Sequence, residues 1–228
     1  MENGQFVKIN YVGRVKGTDE IFDLTDEAIA KENKLHDPKT RYGPVTVIIG
    51  EQMILPGLEE EIKKMKAGEK KTIELPPGKA FGERDSKLLK TFGEAQFKRQ
   101  EMNPIPGLMV ELNGIRGRVM SVSAGRVSVD FNHPLSGKTI TYEIEVIGIV
   151  EKDVEKAKSI VQIFSNADAE VEINAGAVEI KLPVMNNVHP EAKKKISEDV
   201  FKWLKADAVK FEETYRKPQA KADAAGKA

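Results

Sequence analysis

The sequence predicts an α+β chain built in three units, and three observations carry that prediction. Stretches of apolar and polar alternation, "FVKINYVGRV" near the start and "TITYEIEVIGIV" at 139–150, have the period of half-buried strands. Between them, "MILPGLEEEIKKMKAGEK" places Leu58, Ile62 and Met65 at helical spacing, with acidic residues leading, lysines trailing and Gly68 ending the run. After Glu151, helical and alternating segments follow one another in the order αββαβ.

The elements can be read in order. In the first strand Val7, Ile9 and Tyr11 share one side, and Gly13 marks a bulge or bend. The polar run "LTDEAIAKENKLHDPKTRYG" reads as a loop with one helical turn. "PVTVIIG" is a strand rich in β-branched residues, and "KKTIELPP" is a strand closed by two prolines. From Ser86 the character changes. "SKLLKTFGEAQF" has a weak helical pattern, "MNPIPG" is loop, and "MVELNG", "RVMSVSA" and "RVSVDF" are short strands, with Ala124-Gly125 as a hairpin tip. In the closing strand Ile140, Tyr142, Ile144 and Val146 lie on one face. The last unit pairs two strands about Asn174-Ala175-Gly176. Its second helix stacks Ile196, Val200 and Leu204, with Phe201 and Trp203 expected on the packing side.

This organisation gives a discontinuous first domain at 1–87 and 132–150, an insert at 88–131, a C-terminal α/β domain at 151–216 and a disordered tail at 217–228. The tail has too little apolar content to fold. At 228 residues, several modules are expected, each small.

Composition excludes several classes of function. Lys plus Arg and Asp plus Glu both total 36, so no single-sign field argues for nucleic acid or an anionic membrane. There is no cysteine, which removes disulfides, thiolate nucleophiles and cysteine-based zinc sites. The three histidines, His36, His133 and His189, are too few and too scattered for a histidine metal cluster. The N-terminus has no basic start followed by an apolar core, and no apolar run approaches the roughly 20 residues of a membrane span. A soluble, cytoplasmic protein without metal or cofactor is expected.

The order of motifs resembles the FKBP family of peptidyl-prolyl isomerases. The residues that carry the resemblance are "INYVGRV", the "FD" that follows, "VIIGEQMILPGLEEEI" leading into a short helix, "AFG", and a last strand with "TYEIEV". The insert after "AFG", down to "NHPLSG" before the closing strand, is similar to the insert-in-flap domain of SlyD-like members, and the third domain makes the whole resemble the long archaeal subclass. The resemblance implies an antiparallel sheet wrapped on one helix. It also implies an apolar pocket made by Tyr11, Phe22, Asp23, Ile54, Leu55, Leu58, Phe81 and Tyr142, with Val45 at its edge and the Leu55 N–H bonding a substrate carbonyl. Phe81 stands where the family usually has tyrosine and Leu58 where many members have tryptophan. One hydrogen bond to substrate, about 0.5–1.5 kcal/mol, is therefore missing.

Rotation about an X-Pro bond breaks no bond, so such a catalyst needs neither nucleophile nor metal, only a site that favours the twisted amide. Taken singly, Tyr11, Phe22 and Tyr142 are core aromatics, Asp23 a turn or cap residue and His133 a structural residue before proline. The insert's Phe92, Phe97, Met102, Ile105, Leu108 and Met109 form either a small core or, in part, an adaptable surface for unfolded chain. The expected partners are unfolded polypeptides containing X-Pro bonds, with a homodimer through the C-terminal domain as a further possibility. The alternative is a non-catalytic holdase or adaptor that uses the same fold as a binding module.

Overall fold

The computed structural model describes residues 1–183 and 188–214; the tail read as disordered, 217–228, lies outside them. In chain order the elements are β1 (Phe6–Val15), β2 (Ile21–Leu24), α1 (Glu27–Glu32), β3 (Val45–Ile48), α2 (Pro56–Lys64), β4 (Lys70–Leu75), β5 (Leu89–Gly93), α3 (Glu94–Lys98) and β6 (Met109–Leu112). There follow β7 (Ile115–Ser123), β8 (Arg126–Asp130), β9 (Ile140–Val150), α4 (Asp153–Ser165), β10 (Glu170–Asn174), β11 (Ala177–Pro183), α5 (Pro190–Leu204) and β12 (Ala208–Thr214). The class is α+β, with the strands in three separate sheets.

The first sheet has the order β2-β1-β9-β4, and β3 shares with β2 the same edge of β1. Residues 6–9 of β1 pair with β3 and residues 12–14 with β2, which leaves Asn10 and Tyr11 in the gap. Thr25 fills it. Its N–H donates to the Tyr11 carbonyl at 2.9 Å, and its hydroxyl accepts the Tyr11 N–H at 2.9 Å. On this edge the backbone of Tyr11 is thus held by Thr25 in place of a strand, while its other side pairs with Ile144 of β9.

One face of this sheet wraps α2. Pro56 opens that helix where no N–H partner is needed, Glu59 sits in its first turn and Lys63 and Lys64 in its last, which suits the helix dipole. Leu58 and Ile62 are buried with Val7, Ile9, Ile73, Ile140, Ile144 and Val146, and Met65 joins them just past the helix end. Gly57 lets α2 lie close to the turn after β4. A Cβ there would come within 2.8 Å of the Lys79 carbonyl oxygen and 2.9 Å of Leu75. Because the obstacle includes backbone, Gly57→Ala is expected to cost about 1–3 kcal/mol, read as a lowered urea midpoint with the slope unchanged. An unshifted midpoint would show that the turn yields freely.

The opposite face carries a second core. Phe6 pairs with Ile48 on β3 and Val150 on β9, and this patch packs against Ile160, Val161, Ile196 and Val200 of α4 and α5 and against the β10-β11-β12 sheet. β11 and β12 are parallel, with α5 crossing between them, whereas β10 and β11 form a hairpin. The C-terminal unit therefore shares apolar residues with the first sheet. Polar contacts line the seam: Ser159 donates to the Thr46 hydroxyl at 3.1 Å, Arg41 pairs with Asp168 at 2.8 Å, and Lys202 pairs with Glu51 at 2.8 Å. Phe201 departs from expectation. It is 44% exposed, because the buried stripe of α5 runs through Ile196, Val200 and Trp203 and leaves Phe201 a turn-fraction away.

The insert forms the third sheet, ordered β5-β8-β7-β6, with α3 beside it. Its hairpins turn at Asn113-Gly114 and Ala124-Gly125, all four residues having positive φ, as two-residue turns between twisted strands require. "SKLLKTFGEAQF" is only partly helical. Its middle, Leu89–Gly93, is a strand because it pairs with residues 126–130 of β8, a long-range partner that outweighs weak local periodicity.

Candidate active site

The residues named from the family pattern converge beside α2. Leu58 and Tyr142 are buried, and Tyr11, Phe22, Ile54, Leu55 and Phe81 are half-buried and pack against that core. They form one apolar cluster with a buried base. Gly13 makes room for it: a Cβ there would lie 2.7 Å from the Phe22 ring and 3.0 Å from that of Tyr142. Phe22 stands edge-to-face to both Phe81 and Tyr142, with centroids 5.7 Å away in each case, and Tyr11 meets Tyr142 edge-to-face at 5.8 Å. Edge-to-face packing is the favoured arrangement of such rings.

Asp23 is exposed, and its Oδ2 accepts the Tyr11 hydroxyl at 3.0 Å. Burial first, and then the Asp23 carboxylate, pushes the Tyr11 phenol well above its ordinary value; the same two causes in the same order raise Tyr142. Both phenols are neutral donors at physiological pH. An unfolded phenol ionises near pH ~10 while these two hold their protons, so stability is level below that pH and falls as pH rises through it. Urea midpoints measured across this range should fall, and Tyr11→Phe with Tyr142→Phe should flatten the decline. A decline unchanged in the double variant would assign it to other groups.

Leu55 precedes α2 with an extended backbone, its carbonyl accepting the N–H groups of Leu58 and Glu59. Among the described residues no acceptor meets its own N–H. Val45 stands apart at the start of β3, 37% exposed, in a cleft with Tyr11 and Ile54.

Two contacts at the site went unread in the sequence. His133 stacks on Phe81 with centroids 4.7 Å apart and planes 2° from parallel, and Leu135 packs on the same core. Both lie in "NHPLSG", a segment visible as a turn. Its contact with "AFG" depends on the chain returning from the insert. There the Ser136 hydroxyl donates to the Phe81 carbonyl at 3.1 Å and the Gly137 N–H to that of Gly82 at 2.9 Å. Where the chain leaves and re-enters, Asn132 exchanges two bonds with the Asp85 backbone, at 2.9 and 3.0 Å, and Arg84 pairs with Asp130.

The insert's six named residues divide. Phe97 is fully buried with Val110, Val119, Val127 and Val129, and Phe92, Met102 and Leu108 pack against that centre. Phe97 is thus a core residue and its ring meets no solvent. Ile105 and Met109 are 55% and 57% exposed, and Ile115 and Met120, which the sequence reading did not name, are 56% and 45% exposed.

Among the described residues no three His, Cys, Asp or Glu side chains gather as metal ligands, and no helix is long and apolar enough to cross a membrane.

Comparison with known proteins fits this geometry. A family model described as the FKBP26 IF domain matches residues 95–135, and one described as FKBP26 C-terminal matches residues 153–216. A short-type peptidyl-prolyl cis-trans isomerase of Methanocaldococcus jannaschii is 33% identical over 159 residues, covering 70% of this chain and 97% of that protein. A probable FKBP-type 16 kDa peptidyl-prolyl cis-trans isomerase of Pseudomonas fluorescens is 33% identical over 111 residues, covering 46% of this chain and 73% of the other. The FKBP-type isomerase SlyD of Helicobacter pylori is 30% identical over 155 residues, covering 67% and 76%. The chain belongs to the FKBP-type peptidyl-prolyl cis-trans isomerases, as a SlyD-like member with an inserted domain in the flap.

Proposed function

We propose that this isomerase turns X-Pro bonds in the bowl of Tyr11, Phe22, Ile54, Leu55 and Phe81 over Leu58 and Tyr142, and that its insert captures unfolded polypeptide and delivers it there. The observation that carries the reading is the half-buried aromatic wall beside a Leu55 N–H that no described residue uses. A planar amide is held by resonance against a barrier of about 18–20 kcal/mol. The twisted form has lost its charge separation and gains from a dry apolar wall, while the Leu55 N–H holds a neighbouring carbonyl and fixes the chain. Asp23 acts through Tyr11, orienting the phenol by a hydrogen bond, and no proton is transferred. Phe81 keeps a ring and lacks a hydroxyl, and the stacked His133 fixes its plane.

In this reading 1–87 with 132–150 is the catalytic domain, 88–131 the capturing domain and 151–216 a separate α/β domain docked on the sheet. The exposed Ile105, Met109, Ile115 and Met120 are the capture surface, since methionine and aliphatic side chains adapt to many sequences. A second copy is the partner proposed for the C-terminal domain, whose β10 and β12 are edge strands. Strictly monomeric sedimentation would remove that part.

The test compares a short X-Pro peptide with a proline-limited protein refolding reaction, in the wild type and in a Met109→Ser, Ile115→Ser variant. Peptide activity should persist while refolding slows about tenfold, because tethering raises the local proline concentration without altering the pocket. Equal refolding rates would sink the capture role. A wild type inert toward the peptide, yet able to suppress aggregation, would favour the holdase reading.

A further inference from the structure

On the outer face of the insert's sheet, arginines stand beside the exposed methionines. Val110 of β6, Val119 of β7 and Val127 and Val129 of β8 point into the insert's core. The alternate residues of the same strands point outward. Met109 and Glu111 of β6 lie across from Arg118 and Arg116 of β7, and Arg126 of β8 lies across from Ser123. All three arginines are exposed, and Met120 joins them where the register shifts between Val119 and Ser121.

Two of the three guanidiniums have no acidic partner. Glu111 lies 3.6 Å from Arg116, and Asp130, opposite Arg118 in the register, is taken by Arg84 and by the Asn132 N–H at 2.9 Å. Among the described residues no carboxylate pairs with Arg118 or Arg126. The chain as a whole carries no net charge, so this positive surplus is local. A guanidinium left in this state attracts a carboxylate or a phosphate.

The neighbouring side chains decide between a polypeptide and a nucleic acid. A sheet that binds single-stranded nucleic acid offers aromatic rings on which bases stack. Here Phe92, Phe97 and Phe131 belong to the insert's core, and the outer face offers methionine, serine and arginine. Met109 beside Arg118 suits an apolar side chain next to a carboxylate. Arg116 and Arg118 stand two residues apart on one strand, about 7 Å, which is the repeat of alternate side chains in an extended polypeptide.

We propose that the insert selects among unfolded chains by charge: it takes apolar segments that carry aspartate or glutamate, whose carboxylates answer Arg118 and Arg126, and it discriminates against segments that carry lysine or arginine. The proposal rests on the capture role given to the insert above and adds the class of client.

The experiment uses the full chain and three labelled peptides of about fifteen residues, with one pattern of leucine and methionine, no proline, and glutamate, glutamine or lysine in between. Fluorescence anisotropy gives Kd at low salt and at about 0.5 M salt. An exposed ion pair is worth up to about fivefold, so at low salt the glutamate peptide should bind about tenfold tighter than the glutamine peptide, with the lysine peptide weakest. High salt, or Arg118→Gln with Arg126→Gln, should cut that advantage to about twofold or less. Met109→Ser with Ile115→Ser should weaken all three. Equal affinities, a preference for the lysine peptide, or a glutamate preference kept by the arginine double variant would overturn the charge selection while leaving capture intact. An oligouridine of about ten residues that binds tighter than the glutamate peptide would overturn it too, by giving the face to nucleic acid. If Met109→Ser with Ile115→Ser leaves all three affinities unchanged, the capture role itself has failed and the charge selection falls with it.

Discussion

Replacing Phe22 by alanine should lower kcat/KM for a short X-Pro peptide by about tenfold to a hundredfold, with the fold retained. The ring is half-buried and seated over Gly13, and it meets both Phe81 and Tyr142 edge-to-face. Its removal opens the wall to water and leaves two rings without their partner. Because a twisted amide benefits from a dry surface more than a planar one does, the larger share of the loss should fall on kcat, with a smaller rise in KM. The stability cost should stay below the roughly 3–5 kcal/mol of a fully buried Phe→Ala change, since Phe22 keeps part of its surface in solvent. Suppression of aggregation should persist, because the exposed apolar residues of the insert lie on a different sheet. A Phe22→Ala protein with full peptide activity would remove this residue from the site and leave it a packing role only.

Much of this site was legible because its residues sit on elements with strong local signals. Tyr11 and Tyr142 lie on alternating strands, Leu58 on the amphipathic α2, and Ala124-Gly125 took the hairpin tip marked by the glycine, although Ala124 has a positive φ as well. Apolar periodicity says which face of an element is buried and stays silent on what covers it. Phe6 follows that pattern. It lies beside Val7 on β1, both are buried, and they belong to different cores on opposite faces of the sheet. The same gap hid β5, whose partner β8 begins at Arg126, and the stacking of His133 on Phe81 across the whole insert. It also explains Phe201: a lone aromatic near a helix end reads as packing until the direction of the buried stripe is known. Part of the core of the C-terminal unit, Phe6 and Ile48, is supplied by the first sheet, which residues 151–216 read alone do not show.

That shared core sets the second large effect: Phe6→Ala should destabilise the protein by about 3–5 kcal/mol and loosen the C-terminal unit first. Phe6 is 1% exposed and joins Ile48 and Val150 in the patch on which α4 and α5 rest. Its ring meets Trp203 edge-to-face at 6.0 Å, and Trp203 in turn lies against Gly4, where a Cβ would come within 2.8 Å of the indole. Trp203 is held by shape, since its Nε1 is buried without a hydrogen-bond partner, and Lys202, ion-paired to Glu51, covers its ring at 4.5 Å. With the Phe6 ring gone, the first sheet still offers Ile48 and Val150 to α4 and α5, but the indole loses its ring partner, and the exposed ion pair of Lys202 with Glu51 is worth at most about 1 kcal/mol. Trp203 is the single tryptophan, so its fluorescence reports this seam alone. In Phe6→Ala the emission should shift to the red at a lower urea concentration than the loss of circular dichroism, splitting one transition into two. Phe201→Ala, on the same helix and exposed, should change stability by no more than about 0.5 kcal/mol. If Phe6→Ala instead unfolds in a single transition, with fluorescence and dichroism lost together, the sheet and the C-terminal unit form one cooperative body whose stability cannot be assigned to either side of the seam.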